Sequence, residues 1–142
     1  MQSIDFVVAR DDLQQSKIID TQLPDAAALP DSALLVKVTR FAFTANNITY
    51  AVFGESMHYW RFFPADDGWG CIPVWGFAVV EASACDGPVP GQRCYGYWPM
   101  ATHAVLQPTR VTPAGWMDGA PHRASLHAVY NLYQRCTADP FY

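Results

Sequence analysis

Lysine and glutamate are nearly missing. Each occurs twice in 142 residues, and Asp, Glu, Lys and Arg together make up 15% of the chain, where about 25% is usual. Exposed helical faces are drawn largely from those two residues, so long surface helices are not expected. No stretch gathers the Lys and Arg of a nucleic-acid or anionic-membrane footprint, and the net charge is −4, so nucleic acid is excluded as an expected partner. Nor is there an uninterrupted run of roughly 18 apolar residues, which a membrane span requires. The opening MQSIDFVVARDD places Asp5, Arg10, Asp11 and Asp12 where a signal peptide would carry its apolar run. A cytoplasmic protein with no membrane partner is the expectation. Cys-x-x-Cys pairs are absent too. Cys71, Cys85, Cys94 and Cys136 lack the density of a disulfide-stapled secreted domain and read as free thiols.

What is present is apolar: 51% of the residues, with 14% aromatic. A chain of this size and composition folds as one core-rich domain, 1–142. Val, Thr, Tyr, Phe and Trp recur in short runs, from Asp5 to Ala9, Ser16 to Thr21, Ala33 to Ala42, Gly76 to Ser83, Arg93 to Trp98 and Thr102 to Gln107. These predict strands. The eleven prolines fall almost wholly between them, where a missing N–H harms no ladder, and the expected fold is mainly β, a small barrel or sandwich. Two segments depart from this pattern. TANNITYAVFG offers a Thr or Asn cap, a short helical turn and Gly54 as a stop. Residues 118–137 start with Asp118, carry an early Pro121 and space Leu126, Val129, Tyr130 and Tyr133 as an amphipathic stripe, which predicts a C-terminal helix. The abrupt end at Pro140, Phe141 and Tyr142 suggests a truncation or an edge that meets something else.

Most familiar catalytic patterns fail. His58, His103, His122 and His127 show no ligand spacing. Asp66 and Asp67 sit among Pro64, Gly68 and Gly70, a solvated turn. Ser125 and His127 lack a G-x-S-x-G elbow. No G-x-G-x-x-G follows a strand, and Gly68-Trp69-Gly70 runs into Cys71-Ile72-Pro73, which would break a phosphate-binding helix.

The ordered series LLVKVTRFAFTANNITYAVFGE, VWGFAVVEAS, VPGQRCYGY and ATHAVLQPTRVTPAG, followed by DGAPHRASLHAVYNLYQ, resembles the N-terminal GroES-like half of the medium-chain dehydrogenases/reductases. FTANNITYAVFG, YWRFFPA, GWGCIPVWGFA and YGYWPM look closer still to a poorly characterised branch of that superfamily, a domain of unknown function. The resemblance implies a partly open β-barrel, a short helix after the first long strand, and no Rossmann domain. At the places of the family's zinc ligands stand about Ala45 and Val74, which cannot bind zinc. The chain is therefore similar to the zinc-independent, quinone-oxidoreductase-like side, and no metal is expected. In those reductases the short helix faces nicotinamide and substrate, which maps to Asn46, Asn47 and Tyr50. An amide can hold a carbonyl without titrating, and a phenol can donate to a developing oxyanion. Asn47 and Tyr50 are the expected catalytic pair; Asn46 could equally be a helix cap. Tyr59 and Arg61, in an aromatic loop with Trp60, Phe62 and Phe63, either wall the substrate site or plug the barrel end, and Tyr97 could do either.

A medium-chain reductase needs about 150 further residues of Rossmann domain. The implied function is thus the substrate-binding, catalytic domain of a zinc-independent NAD(P)H-dependent oxidoreductase for a small apolar carbonyl or enone. It would bind no cofactor alone and meet NADP(H) only through a Rossmann-domain partner, docked on the C-terminal helix and the Phe141–Tyr142 end. The alternative is a stand-alone barrel that binds a small molecule or acts as a cofactor-free isomerase or cyclase. In either case apolar surface left uncovered favours a homodimer.

Overall fold

Period-2 burial builds the sheets. In β5, Val74–Ser83, residues Val74, Gly76, Ala78 and Val80 are buried and those between are half-exposed, the pattern of a sheet covered more fully on one face. The computed structural model describes residues 1–139. Its strands are β1 Gln2–Ala9, β2 Ser16–Gln22, β3 Leu34–Ala42, β4 Trp69–Gly70, β5, β6 Arg93–Trp98, β7 His103–Leu106, β8 Pro108–Thr112, β9 Gly115–Asp118 and β10 Leu132–Arg135, with one α-helix, α1 Ala45–Val52. A three-stranded sheet runs β2-β1-β4, and a seven-stranded sheet β7-β3-β5-β6-β10-β9-β8 curls into a half-barrel. The architecture is mainly β, as the short branched and aromatic runs imply. Two register shifts between β3 and β5 help the curl, since an extra residue on one strand bends and twists the pair.

The hairpin β1–β2 joins the larger sheet near β7. Phe6 N donates to Met100 O at 2.8 Å and Thr102 N to Ile4 O at 3.0 Å. Between the strands lies a core of Leu34, Val36, Val74, Val80, Trp98, Leu106, Trp116 and Tyr133. Trp98 satisfies its buried indole by donating to Gly76 O at 2.9 Å. A second cluster packs Trp60 against Val8, Ala51 and Ile72. Here Gly54 and Gly70 admit the indole, because a Cβ on the first would overlap its five-membered ring and one on the second its six-membered ring.

Residues 118–137 do not form the expected C-terminal helix. They form two short 3₁₀ turns, Pro121–Arg123 and Ala128–Asn131, and then β10. Ala120 and His127 have extended ψ values of 132° and 124°, so no helix continues through either. Tertiary pairing overrides the helical spacing. β10 hydrogen-bonds to β6 on one side and β9 on the other, and a helix there would leave both ladders unpaired. The apolar stripe is split accordingly. Tyr133 enters the main core, Leu126 and Tyr130 join an aromatic cluster, and Val129 stays exposed. Docking on a C-terminal helix therefore has no basis here, and Pro140, Phe141 and Tyr142 lie outside the described residues.

Candidate functional site

Helix α1 follows β3 directly. Thr44 caps it from an extended backbone and Asn47 completes the cap: its Oδ1 accepts from Thr44 N at 2.7 Å and from Thr44 Oγ1 at 3.3 Å. The other half of the same amide donates to Pro73 O at 3.0 Å, in a buried bond. Asn47 thus ties the helix start to the segment leading into β5, and both ends of its amide are engaged. Three residues on, Tyr50 shares the buried face. Its hydroxyl oxygen accepts from Trp75 Nε1 at 3.1 Å and from Asn46 Nδ2 at 3.4 Å, which turns its own O–H toward the Tyr130 phenol beside it.

Around Tyr50 the rings close in. Tyr59 lies edge-on at 4.7 Å between centroids, Tyr97 at 5.5 Å and Tyr130 at 6.0 Å, all favourable edge-to-face geometry. Tyr97 and Tyr130 are 4.6 Å apart, Phe62 contacts both at 5.3 Å, and the Tyr59 and Tyr130 hydroxyls meet at 3.2 Å. Trp75 extends the group outward by stacking on Tyr95 at 5.9 Å. Tyr97 is fully buried and its hydroxyl has no hydrogen-bond partner among the described residues. Burial, then the surrounding phenols of Tyr50, Tyr130 and Tyr59, push Tyr97 far above the usual phenol range. Burial and the hydrogen bond to Tyr59 raise Tyr130 as well. These phenols stay neutral and can donate hydrogen bonds; they are not poised as bases.

Tyr59, Phe62 and Tyr130 line a groove of about 210 Å³ together with Met57, Leu126 and Val129. Phe62 also lines a larger cleft of about 470 Å³. Cys71 and Cys94 are not nucleophiles: burial pushes their thiols up to about 12. Among the described residues no three His, Cys, Asp or Glu side chains are grouped to hold a metal ion.

The match to a known family begins within β3 and takes in α1, every phenol of this cluster and the groove, residues 41–142. The chain belongs to the protein family of unknown function DUF2855. No curated protein matches it. Within this DUF2855 chain the structure brings Tyr50, Tyr59 and Tyr97 together, with Asn46 at the edge through its bond to Tyr50. It does not gather the other two expected residues. Asn47 is committed to the cap, and Arg61 ends the 3₁₀ turn Tyr59–Arg61 as an exposed side chain. The aromatic loop is divided between two clusters: Tyr59 and Phe62 pack with the phenols, while Trp60 packs in the second core. Sequence reasoning missed Tyr130, whose helical spacing masked it; the density of aromatic residues around it was the available signal.

Proposed function

We propose that this DUF2855 chain is the substrate-binding domain of a zinc-independent NAD(P)H-dependent oxidoreductase, taking a small apolar carbonyl or enone. The observation that carries the reading is Tyr50: on the helix after the long strand, its oxygen is held by Trp75 and Asn46, and its proton can turn from the neighbouring Tyr130 phenol to a carbonyl oxygen in an aromatic surround. The resemblance to GroES-like halves of medium-chain reductases supports the same placement. A dinucleotide does not fit the described residues. Their α-helix is eight residues long and opens on Thr44, Ala45, Asn46 and Asn47, with no glycine-rich phosphate cradle. The cofactor would come with a Rossmann-type domain.

Exposed apolar side chains suit contact with such a domain or with a second copy. Phe41, Phe43, Ile48, Val52, Phe53 and Met57 are 39% to 63% exposed, close in sequence along the end of β3 and α1, which suits an interface. The second reading, a stand-alone binding barrel, draws on the protonated phenols, which fit holding a ligand better than the proton abstraction of an isomerase or cyclase.

Tryptophan fluorescence during titration with 2-cyclohexenone tests the proposal. Saturable quenching that weakens about tenfold in Tyr50→Phe supports it. Absence of quenching, or identical affinity in Tyr50→Phe, overturns the site. NADPH alone is expected to give no micromolar binding, and tight binding would contradict the assignment of the cofactor to another domain.

A further inference from the structure

The 470 Å³ cleft is not the phenol groove, although Phe62 walls both. One side is the β1–β2 hairpin, through Val7, Ile19 and Leu23; another is the segment after the aromatic turn, Phe63 to Asp66; Arg123 and Asp118 also line it. Its volume falls within the range of small-ligand sites, roughly 300–1,000 Å³.

Arg123 is the unusual group. Its side chain is 2% exposed, as is that of Asp118, so the guanidinium has given up nearly all its hydration and must recover it from partners. It recovers little. Nη1 donates to Tyr133 Oη at 2.9 Å. Nε lies 3.2 Å from Asp118 Oδ2 but without the alignment of a hydrogen bond. Nη2 has no hydrogen-bond partner among the described residues. Asp118 is occupied elsewhere, because its Oδ1 takes the backbone N–H groups of Gln107 and Ala120 at 3.0 and 3.1 Å. Beneath the guanidinium lie the rings of Phe63 and Phe62, at 4.7 and 5.7 Å. These leave a planar cation held flat, with donors unspent, in the wall of an apolar cleft.

We propose that this cleft binds a small monocarboxylic acid with an apolar body, its carboxylate received by Arg123 Nη2 and its body packed on Phe62, Phe63, Val7, Ile19 and Leu23. The planar fork of a guanidinium matches a carboxylate in shape and charge. Asp5, Asp66 and Asp118 also line the cleft, and each further negative charge on a ligand adds repulsion from them, so a monoanion is favoured over a dianion such as a phosphate monoester. Asp5 is already held by Ser3 Oγ at 2.6 Å and Thr21 Oγ1 at 2.7 Å, so it does not compete for Arg123.

The test is calorimetric titration of the full chain with 4-phenylbutyrate, and with 4-phenylbutyramide as the uncharged isostere. The expected result is saturable binding of the acid, tighter than about 1 mM, and binding of the amide weaker by about tenfold or more. Ile19→Trp, which fills the cleft from β2 without touching Arg123, should abolish binding with the melting temperature kept. Arg123→Gln should erase the preference for the acid; if that variant fails to fold, the amide and Ile19→Trp arms still decide. Tyr130→Phe, in the phenol groove, should bind as wild type. No binding of the acid, equal binding of acid and amide, wild-type binding by Ile19→Trp, or loss in Tyr130→Phe each overturns the proposal. None of these results bears on 2-cyclohexenone at Tyr50, so the two sites stand or fall separately.

Discussion

Arg123 and Asp118 form a buried ion pair, Nε to Oδ2 at 3.2 Å, across a loop that sequence spacing reads as a helix. Removing one partner strands the other in a low-dielectric site. Asp118→Ala would leave Arg123 uncompensated and two backbone N–H groups, of Gln107 and Ala120, without their acceptor. Urea unfolding should show a loss of about 3–5 kcal/mol. A loss below about 1 kcal/mol would mean that solvent reaches the pair and rescues it.

Asn47 separates a structural from a chemical role. Its amide caps α1 and holds Pro73 O, so Asn47→Ala should cost about 1–2 kcal/mol in chemical denaturation. The affinity for 2-cyclohexenone should not change by itself. If instead stability holds and affinity falls, the side chain acts on ligand and the cap is secondary.

The contact of Trp60 with two glycines predicts a steric coupling. Gly54→Ala pushes a methyl into the indole and should destabilise the fold by about 1–3 kcal/mol. Pairing it with Trp60→Leu, which removes the ring it strikes, should recover part of that loss relative to the sum of the single changes. Strict additivity in thermal unfolding would argue against the clash.

Alkaline pH should weaken the fold. Folding raises the Cys71 and Cys94 thiols from 9.0 to about 12 through burial, and burial raises Tyr97, Tyr130 and Tyr133 in the same direction. Between pH 9 and 12 the unfolded chain therefore holds fewer protons than the native one, and stability falls as pH rises. Below pH 9 the thiol contribution is fully present. Unfolding free energy measured from pH 8 to 11 should decline, less steeply in Cys94→Ala. At pH 8 a thiol reagent should modify Cys85 before Cys71 or Cys94, since both of the latter are buried and protonated; fast labelling of Cys94 in the native state would contradict this.

Strands β1, β2, β3, β5, β6 and β7 were legible because each is a branched or aromatic run bounded by turn residues, and α1 because Thr44 and Gly54 bracket it. β8, β9 and β10 were not. Thr112, Pro113, Ala114 and Gly115 form a turn that the sequence advertises, but the flanking runs are short. In β10 the local spacing favours a helix, and only the unpaired sides of β6 and β9, set by distant residues, select the strand. The site was half legible for the same reason. Tyr50, Tyr59 and Tyr97 lie in segments with a strong local signal, whereas Tyr130 and Arg123 reach their positions through the misread loop. Asn47 looked chemical because Asn serves both caps and sites, and only its bond to Pro73 O distinguishes them.

The position of β10 also sets an order of events in folding. Among the described residues it is the last of ten strands, yet it sits between β6 and the β8–β9 hairpin, so the larger sheet cannot close while the ribosome has yet to release residues 132–135. Until then β6 presents a bare edge rich in Tyr and Trp, a template for the same edge on a neighbouring chain. That edge is covered when β10 pairs with it, which seats the Tyr133 ring in the space left open by Gly96.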